Sequence, residues 1–185
     1  MRRENVASVL SDSVSRGKSF IRTENPYLCE KILSTLTRSF IDSFDVSVET
    51  YSSPKSYWGF DFSRFYRCVS SAGGLERLDL DVRNGFGDTG SSKGVKILYQ
   101  PSKLVKRHGR GVLKSYRSLL KDGGNVLIID RGLPPRSLLD KFDRILEVRK
   151  EGKELLIEGG SFEGVRRLKL YGQTSLPDFK SSVRA

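Results

Sequence analysis

The stretch Asn125-Val126-Leu127-Ile128-Ile129-Asp130 decides the fold class. Val126–Ile129 are consecutive branched apolar residues, the pattern of a strand covered on both faces in a parallel sheet, and Asp130 closes the run. Upstream, Ser102 to Lys121 is helical in pattern but interrupted by His108-Gly109-Arg110-Gly111, and Val95–Tyr99 reads as a strand. Before the Gly-rich loop Asn84–Gly94, expected to be mobile, Leu75–Val82 alternates as a strand and Phe62–Val69 has the pattern of a helix ended by Gly73-Gly74. Earlier still come a strand over Asp45–Tyr51 and a helix opened by Asn25 as N-cap and Pro26 at the first helical position. Leu28, Ile32, Leu36 and Phe40 draw its apolar stripe, and Lys18–Thr23 reads as the strand before it. Downstream of Asp130, Pro134-Pro135 precedes a short helix, Arg136–Phe142. Three alternating strands follow, Arg144–Val148, Glu154–Glu158 and Val165–Tyr171. Strands separated by helices first and a strand-rich end last predict an α/β domain: a mainly parallel sheet flanked by helices and extended by antiparallel strands at the C-terminal end.

A chain of 185 residues is one domain's worth, with a core large enough to need no disulfide. We expect a short helix or loose arm over 1–16, one domain over 17–180 and a disordered tail over 181–185. Cys29 and Cys68 form no CxxC pair and have a single histidine, His108, for company. Buried reduced thiols are expected, and a zinc or other metal site is not. No run approaches the ~20 apolar residues that span a bilayer, and the start MRRENVASVL is too short and polar for a signal peptide, so a cytoplasmic protein with no membrane partner is expected.

Net charge speaks to partners, and here it is +11. Between Asp88 and Asp122 no acidic residue occurs, while Lys93, Lys96, Lys103, Lys106, Arg107, Arg110, Lys114, Arg117 and Lys121 all fall there. Lys103, Arg107, Arg110, Lys114, Arg117 and Lys121 recur at spacings of four and three, which on one continuous helix gives a positive stripe ~27 Å long, opposite Val105, Val112, Tyr116 and Leu119. Gly109 and Gly111 oppose continuity, since each costs about 1 kcal/mol inside a helix. If the helix breaks there, His108–Gly111 becomes a loop whose backbone approaches phosphate closely. The candidate nucleic-acid-binding residues are Lys103, Lys106, Arg107, His108, Arg110, Lys114, Arg117 and Lys121.

Several segments resemble the RecA/RadA/KaiC-like ATPases, in the manner of a degenerate archaeal recombinase paralogue. FDVSVETYSSPKSYWGFDFSRFYRCV (44–69) is similar to a strand ending in an acidic motif, a loop and a helix; GGLERLDLDV (73–82) to the strand after it; NVLIID to the Walker B strand. FDRILEVRKEGKELLIEGG and VRRLKLYGQTSLPDF resemble the closing hairpins. The resemblance covers about residues 17–180 and implies a RecA-like fold. It also implies that Asp130 would hold Mg²⁺ through water and that Glu49 would polarise an attacking water.

The phosphate-binding loop GxxxxGK[ST] is missing. Where it belongs, the chain reads Arg22-Thr23-Glu24-Asn25-Pro26, with a carboxylate where phosphate would sit. The lone Gly17-Lys18-Ser19 has Asp12 in place of the motif's first glycine and is read as chance. Glu49 and Asp130 are therefore expected to be a vestigial nucleotide site, with an exposed strand-end carboxylate and a loop or helix cap as their plainer alternatives. No ATP, Mg²⁺ or other cofactor and no catalytic residue are expected. His108 lacks a partner for a triad, and a metal-dependent nuclease built from Glu76, Asp79, Asp81 and Lys96 is a minor alternative. Tyr57, Trp58, Phe60 and Phe86 are aromatic candidates for base stacking. The function expected is that of an inactive RecA-like paralogue that binds nucleic acid, DNA ahead of RNA, and assists recombination or repair. It would pair with a recombinase, a sister paralogue or copies of itself; the alternatives are a scaffold subunit and a residual ATPase.

Overall fold

The fold was obtained as a computed structural model, which describes residues 6–14, 16–51, 62–71, 73–82, 94–121, 124–152, 154–159 and 165–169. The helices are α1 (Val6–Val14), α2 (Pro26–Ile41), α3 (Phe62–Ser70), α4 (Ser102–His108) and α5 (Arg110–Lys121). The strands are β1 (Lys18–Arg22), β2 (Val46–Thr50), β3 (Leu78–Val82), β4 (Val95–Tyr99), β5 (Asn125–Asp130), β6 (Arg144–Glu151), β7 (Glu154–Gly159) and β8 (Val165–Lys169).

All eight strands join one sheet in the order β3-β2-β4-β5-β1-β6-β7-β8. Pairing is parallel from β3 to β6, and β7 and β8 add antiparallel hairpins. NVLIID lies between β4 and β1, with Val126–Asp130 all buried, as its unbroken apolar run requires.

Alternation along the strands sorts side chains onto two faces. On one, Ile21, Val48, Ile97, Ile129, Leu146 and Ile157 meet Leu10 of α1, the stripe Leu28, Ile32, Leu36 and Phe40 of α2, and Phe65 and Val69 of α3. The opposite face carries Phe20, Leu98, Val126 and Ile128, covered by Leu104 of α4 and by Tyr116, Leu119 and Leu120 of α5. Within the N-terminal segment, Val6–Val14 form a helix with Val9, Leu10 and Val14 in the core.

Local expectations are met at the start of α2, where Asn25 Oδ1 accepts from the amides of Tyr27 and Leu28 with Pro26 in the first turn. Two expectations need correction. Leu75–Arg77 is a 3₁₀ turn, not the start of a strand; Leu75 is exposed there and a left-handed Gly74 precedes it. Arg136–Lys141 is likewise 3₁₀, with only Leu138 buried. The interruption read within Ser102–Lys121 is a single residue: Gly109, at φ 66 and ψ −144, stands between two helices in a conformation that side chains other than glycine's rarely adopt, and Arg110 and Gly111 belong to α5 rather than to a loop. The loop 84–93 and the tail 181–185 lie outside the described residues.

Candidate functional site

Adjacent strands β1 and β5 send the chain to opposite faces of the sheet. After β1 it enters α2 on one side; after β5 it runs through Arg131–Pro135 to the 3₁₀ turn on the other. Such a divergence opens a crevice at the carboxyl ends of the strands, where open α/β sheets bind ligands. Here the crevice is bridged by the protein itself. The Thr23 amide donates to the Asp130 carbonyl (3.0 Å) and the Arg131 guanidinium to the Glu24 carbonyl (3.1 Å). At the mouth of α2 the first position is Pro26, which has no N–H, the next two amides go to Asn25 Oδ1, and the Cys29 amide goes to the Asn25 carbonyl. The donors that a helix N-terminus would offer to phosphate are absent or engaged.

Asp130 is buried and accepts four hydrogen bonds. Its Oδ1 takes the Ser102 hydroxyl (2.6 Å) and the amides of Arg131 (2.7 Å) and Gly132 (3.2 Å); its Oδ2 takes the Ser102 amide (2.8 Å). The carboxylate therefore caps α4 from a neighbouring strand and pins the loop that follows β5. Glu49 differs from the exposed strand-end carboxylate that is its plainer reading, for it is 2 % exposed. Its Oε1 lies 2.5 Å from Lys96 Nζ on β4, and its Oε2 accepts from the Tyr51 hydroxyl at 2.6 Å. The two carboxylates of the vestigial site stand at the ends of β2 and β5, with β4 between them, each bound to its own partners. Lys96 is thereby tied to Glu49. Among the described residues no group of three or more His, Cys, Asp and Glu side chains is placed to hold a metal ion.

Gly17-Lys18-Ser19 lies at the opposite edge of the sheet. Gly17, at φ 76, donates to Asn125 Oδ1, and the Lys18 amide donates to Asp143, so these residues lead into a strand and not out of one into a helix. Buried groups nearby are held in their neutral forms. Burial pushes the Cys29 thiol up from 9.0 to about 12, with the Asp130 charge adding to it, and burial raises the Tyr99 and Tyr116 phenols above their usual range.

The basic segment is split by Gly109 into two short helices. Their apolar residues, Leu104, Tyr116, Leu119 and Leu120, are buried against the sheet with Val105, Val112 and Leu113 packed alongside. Lys106, Lys114, Arg117 and Lys121 are exposed and Lys103 is half-buried, while the side chains of Arg107, His108 and Arg110 lie outside the described residues. The same holds for the aromatic candidates Tyr57, Trp58, Phe60 and Phe86. Of the basic residues on the expected stripe, Lys114, Arg117 and Lys121 of α5 are exposed.

One feature of the site was not read from the sequence. A cleft of ≈ 170 Å³ opens where α4 and α5 meet the loop after β5. Phe20, Val105, Tyr116, Leu133, Pro134 and Pro135 line it together with Asp130, Ser102 and Lys106. Pro134-Pro135 and the 62 % exposed Leu133 are the traces it leaves in the sequence.

No protein-family model and no curated protein sequence matches the chain. Among solved structures it is similar to the flagellar accessory protein FlaH of Methanocaldococcus jannaschii, with a TM-score of 0.52 over 90% of this chain and 91% of that one. The fold is RecA-like. Sequence identity across that superposition is 12%, so what the two share is the arrangement of strands and helices. Among the described residues no helix is long and apolar enough to cross a membrane.

Proposed function

We propose that this chain is a RecA-like domain that has given up ATP hydrolysis and binds nucleic acid, DNA in preference to RNA, through the outward side of α4 and α5. The observation that carries the reading is the division of labour in that helix pair. Its apolar residues are committed to the core, and Lys106, Lys114, Arg117 and Lys121 face solvent in a segment with no acidic residue from Thr89 to Lys121. Cations that neutralise phosphates release condensed counterions, so binding is strongly salt dependent and largely indifferent to duplex sequence. The engaged amides at the mouth of α2 and the four bonds on Asp130 support an inactive nucleotide site over a residual ATPase. An accessory role in recombination or repair, in the cytoplasm and beside a recombinase or sister paralogue, follows from this reading.

The test is binding of labelled single- and double-stranded DNA across a salt series, comparing wild type with Lys106, Lys114 and Arg117 changed together to Ala. The triple variant should bind weakly and lose about three from the magnitude of the duplex salt slope, one per phosphate contact removed. Absence of binding at low salt would sink the reading. A second reading, a scaffold subunit of a larger assembly, draws on the likeness to a protein described as a flagellar accessory. It predicts that the same cations bind an acidic protein partner.

A further inference from the structure

We propose that the cleft beside Asp130 receives one unstacked pyrimidine base, cytosine in preference to thymine, from a single strand whose phosphates run along α4 and α5. The inference rests on the nucleic-acid reading above and adds to it the state of the strand and the base.

Size sets the first limit. A cavity of about 150 Å³ holds a benzene ring, so ≈ 170 Å³ suits a six-membered ring and is small for a purine. Wall chemistry sets the second. Phe20, Val105, Tyr116, Leu133 and the two prolines line the cleft with apolar surface against which a planar ring can pack.

Charge sets the third. The buried Asp130 carboxylate repels phosphate from the interior, whereas Lys106, exposed on α4, attracts it outside. A neutral base inward and its phosphate outward satisfies both. Asp130 also distinguishes among bases. Its Oδ2 accepts one hydrogen bond, from the Ser102 amide, and a carboxylate oxygen has room for a second. An exocyclic amino group, which cytosine carries at C4 and thymine lacks, supplies that donor. Thymine would set a carbonyl oxygen against the carboxylate instead.

In a duplex the base is stacked and paired, so the cleft contributes only when the strand is single. Fluorescence anisotropy at neutral pH and fixed salt should compare oligodeoxycytidylate, oligodeoxythymidylate, an abasic strand of equal length and a duplex. We expect oligodeoxycytidylate to bind about tenfold more tightly than oligodeoxythymidylate, the size of one hydrogen bond to a charged group. The abasic strand and the duplex should be weaker than either. Val105→Phe, which fills the cleft, should erase the cytosine preference and leave duplex affinity and salt slope as they were. Equal affinity for all four ligands would overturn the proposal while leaving the basic-helix reading intact, and this comparison needs no variant. If none of them binds at low salt, both fall together.

Discussion

Replacing Asp130 by Ala separates a structural carboxylate from a nucleotide-binding one. The side chain accepts from three backbone amides, Ser102, Arg131 and Gly132, and from the Ser102 hydroxyl, over 2.6–3.2 Å. Arg131 is exposed, so its amide finds water in the variant, and the hydroxyl rotates toward another acceptor. The amides of Ser102 and Gly132 are half-buried and lose their partner, at about 1–3 kcal/mol each. The expected cost is therefore about 3 kcal/mol, with a Tm lower by about 6–12 °C in a domain of this size. Asp130→Asn keeps Oδ1 for three of the donors and sets an NH₂ against the Ser102 amide, so it should fall between wild type and Ala. Urea unfolding followed by circular dichroism reads the order directly. An Ala variant as stable as wild type that loses a measurable Mg²⁺-dependent nucleotide affinity would refute the capping argument.

Two further outcomes follow from the coordinates. Gly109→Ala should destabilise by about 1–2 kcal/mol because of its positive φ, whereas in an unbroken helix the same change would stabilise by about 1 kcal/mol; the sign of the shift in urea midpoint tells the two apart. Stability should also fall at high pH. Cys29, Tyr99 and Tyr116 have folded-state values raised above 9.0 and 10.0 by burial, so above about pH 9 the unfolded chain releases protons that the folded chain keeps. The stabilisation is complete below the unfolded values and drains away as pH rises toward the folded ones. Urea midpoints that stay flat between about pH 8 and about pH 11 would contradict this.

Much of the fold was legible because its signals are local. The apolar run at Val126–Ile129, the stripe of α2 and the Asn25-Pro26 start each report on a few consecutive residues, and each appears where it was read. The turn at Leu75 was read into the strand although Leu75 stands three positions before Leu78, out of step with the alternation of Leu78, Leu80 and Val82, and it is exposed ahead of the strand. Glu49 shows why the site was less legible than the fold. Its burial depends on Lys96, 47 positions away, which becomes a neighbour only once β2 pairs with β4. The bond between Asp130 and Ser102 likewise spans 28 positions. The cleft combines β1, α4, α5 and the loop after β5, and no periodicity in any one of them announces it.

The arrangement at the carboxyl edge explains how a RecA-like sheet keeps its shape without a phosphate-binding loop. Such a loop normally orders the turn between the first strand and its helix, and removing it leaves helix amides and a crevice to satisfy. This chain satisfies them with residues of its own: Asn25 and Pro26 finish the helix, Arg131 reaches across to Glu24, and Asp130 holds α4. Each of these stabilises a local feature at the carboxyl ends of the strands. Restoring a glycine-rich loop would therefore not restore a nucleotide site by itself, because Asp130 would still be held by four donors. On α4 and α5 the apolar residues pack against the sheet, Asp130 holds the start of α4, and Lys106, Lys114, Arg117 and Lys121 remain exposed. On the nucleic-acid reading proposed above, the phosphate contacts lie on helices whose exposed residues can change without cost to the core.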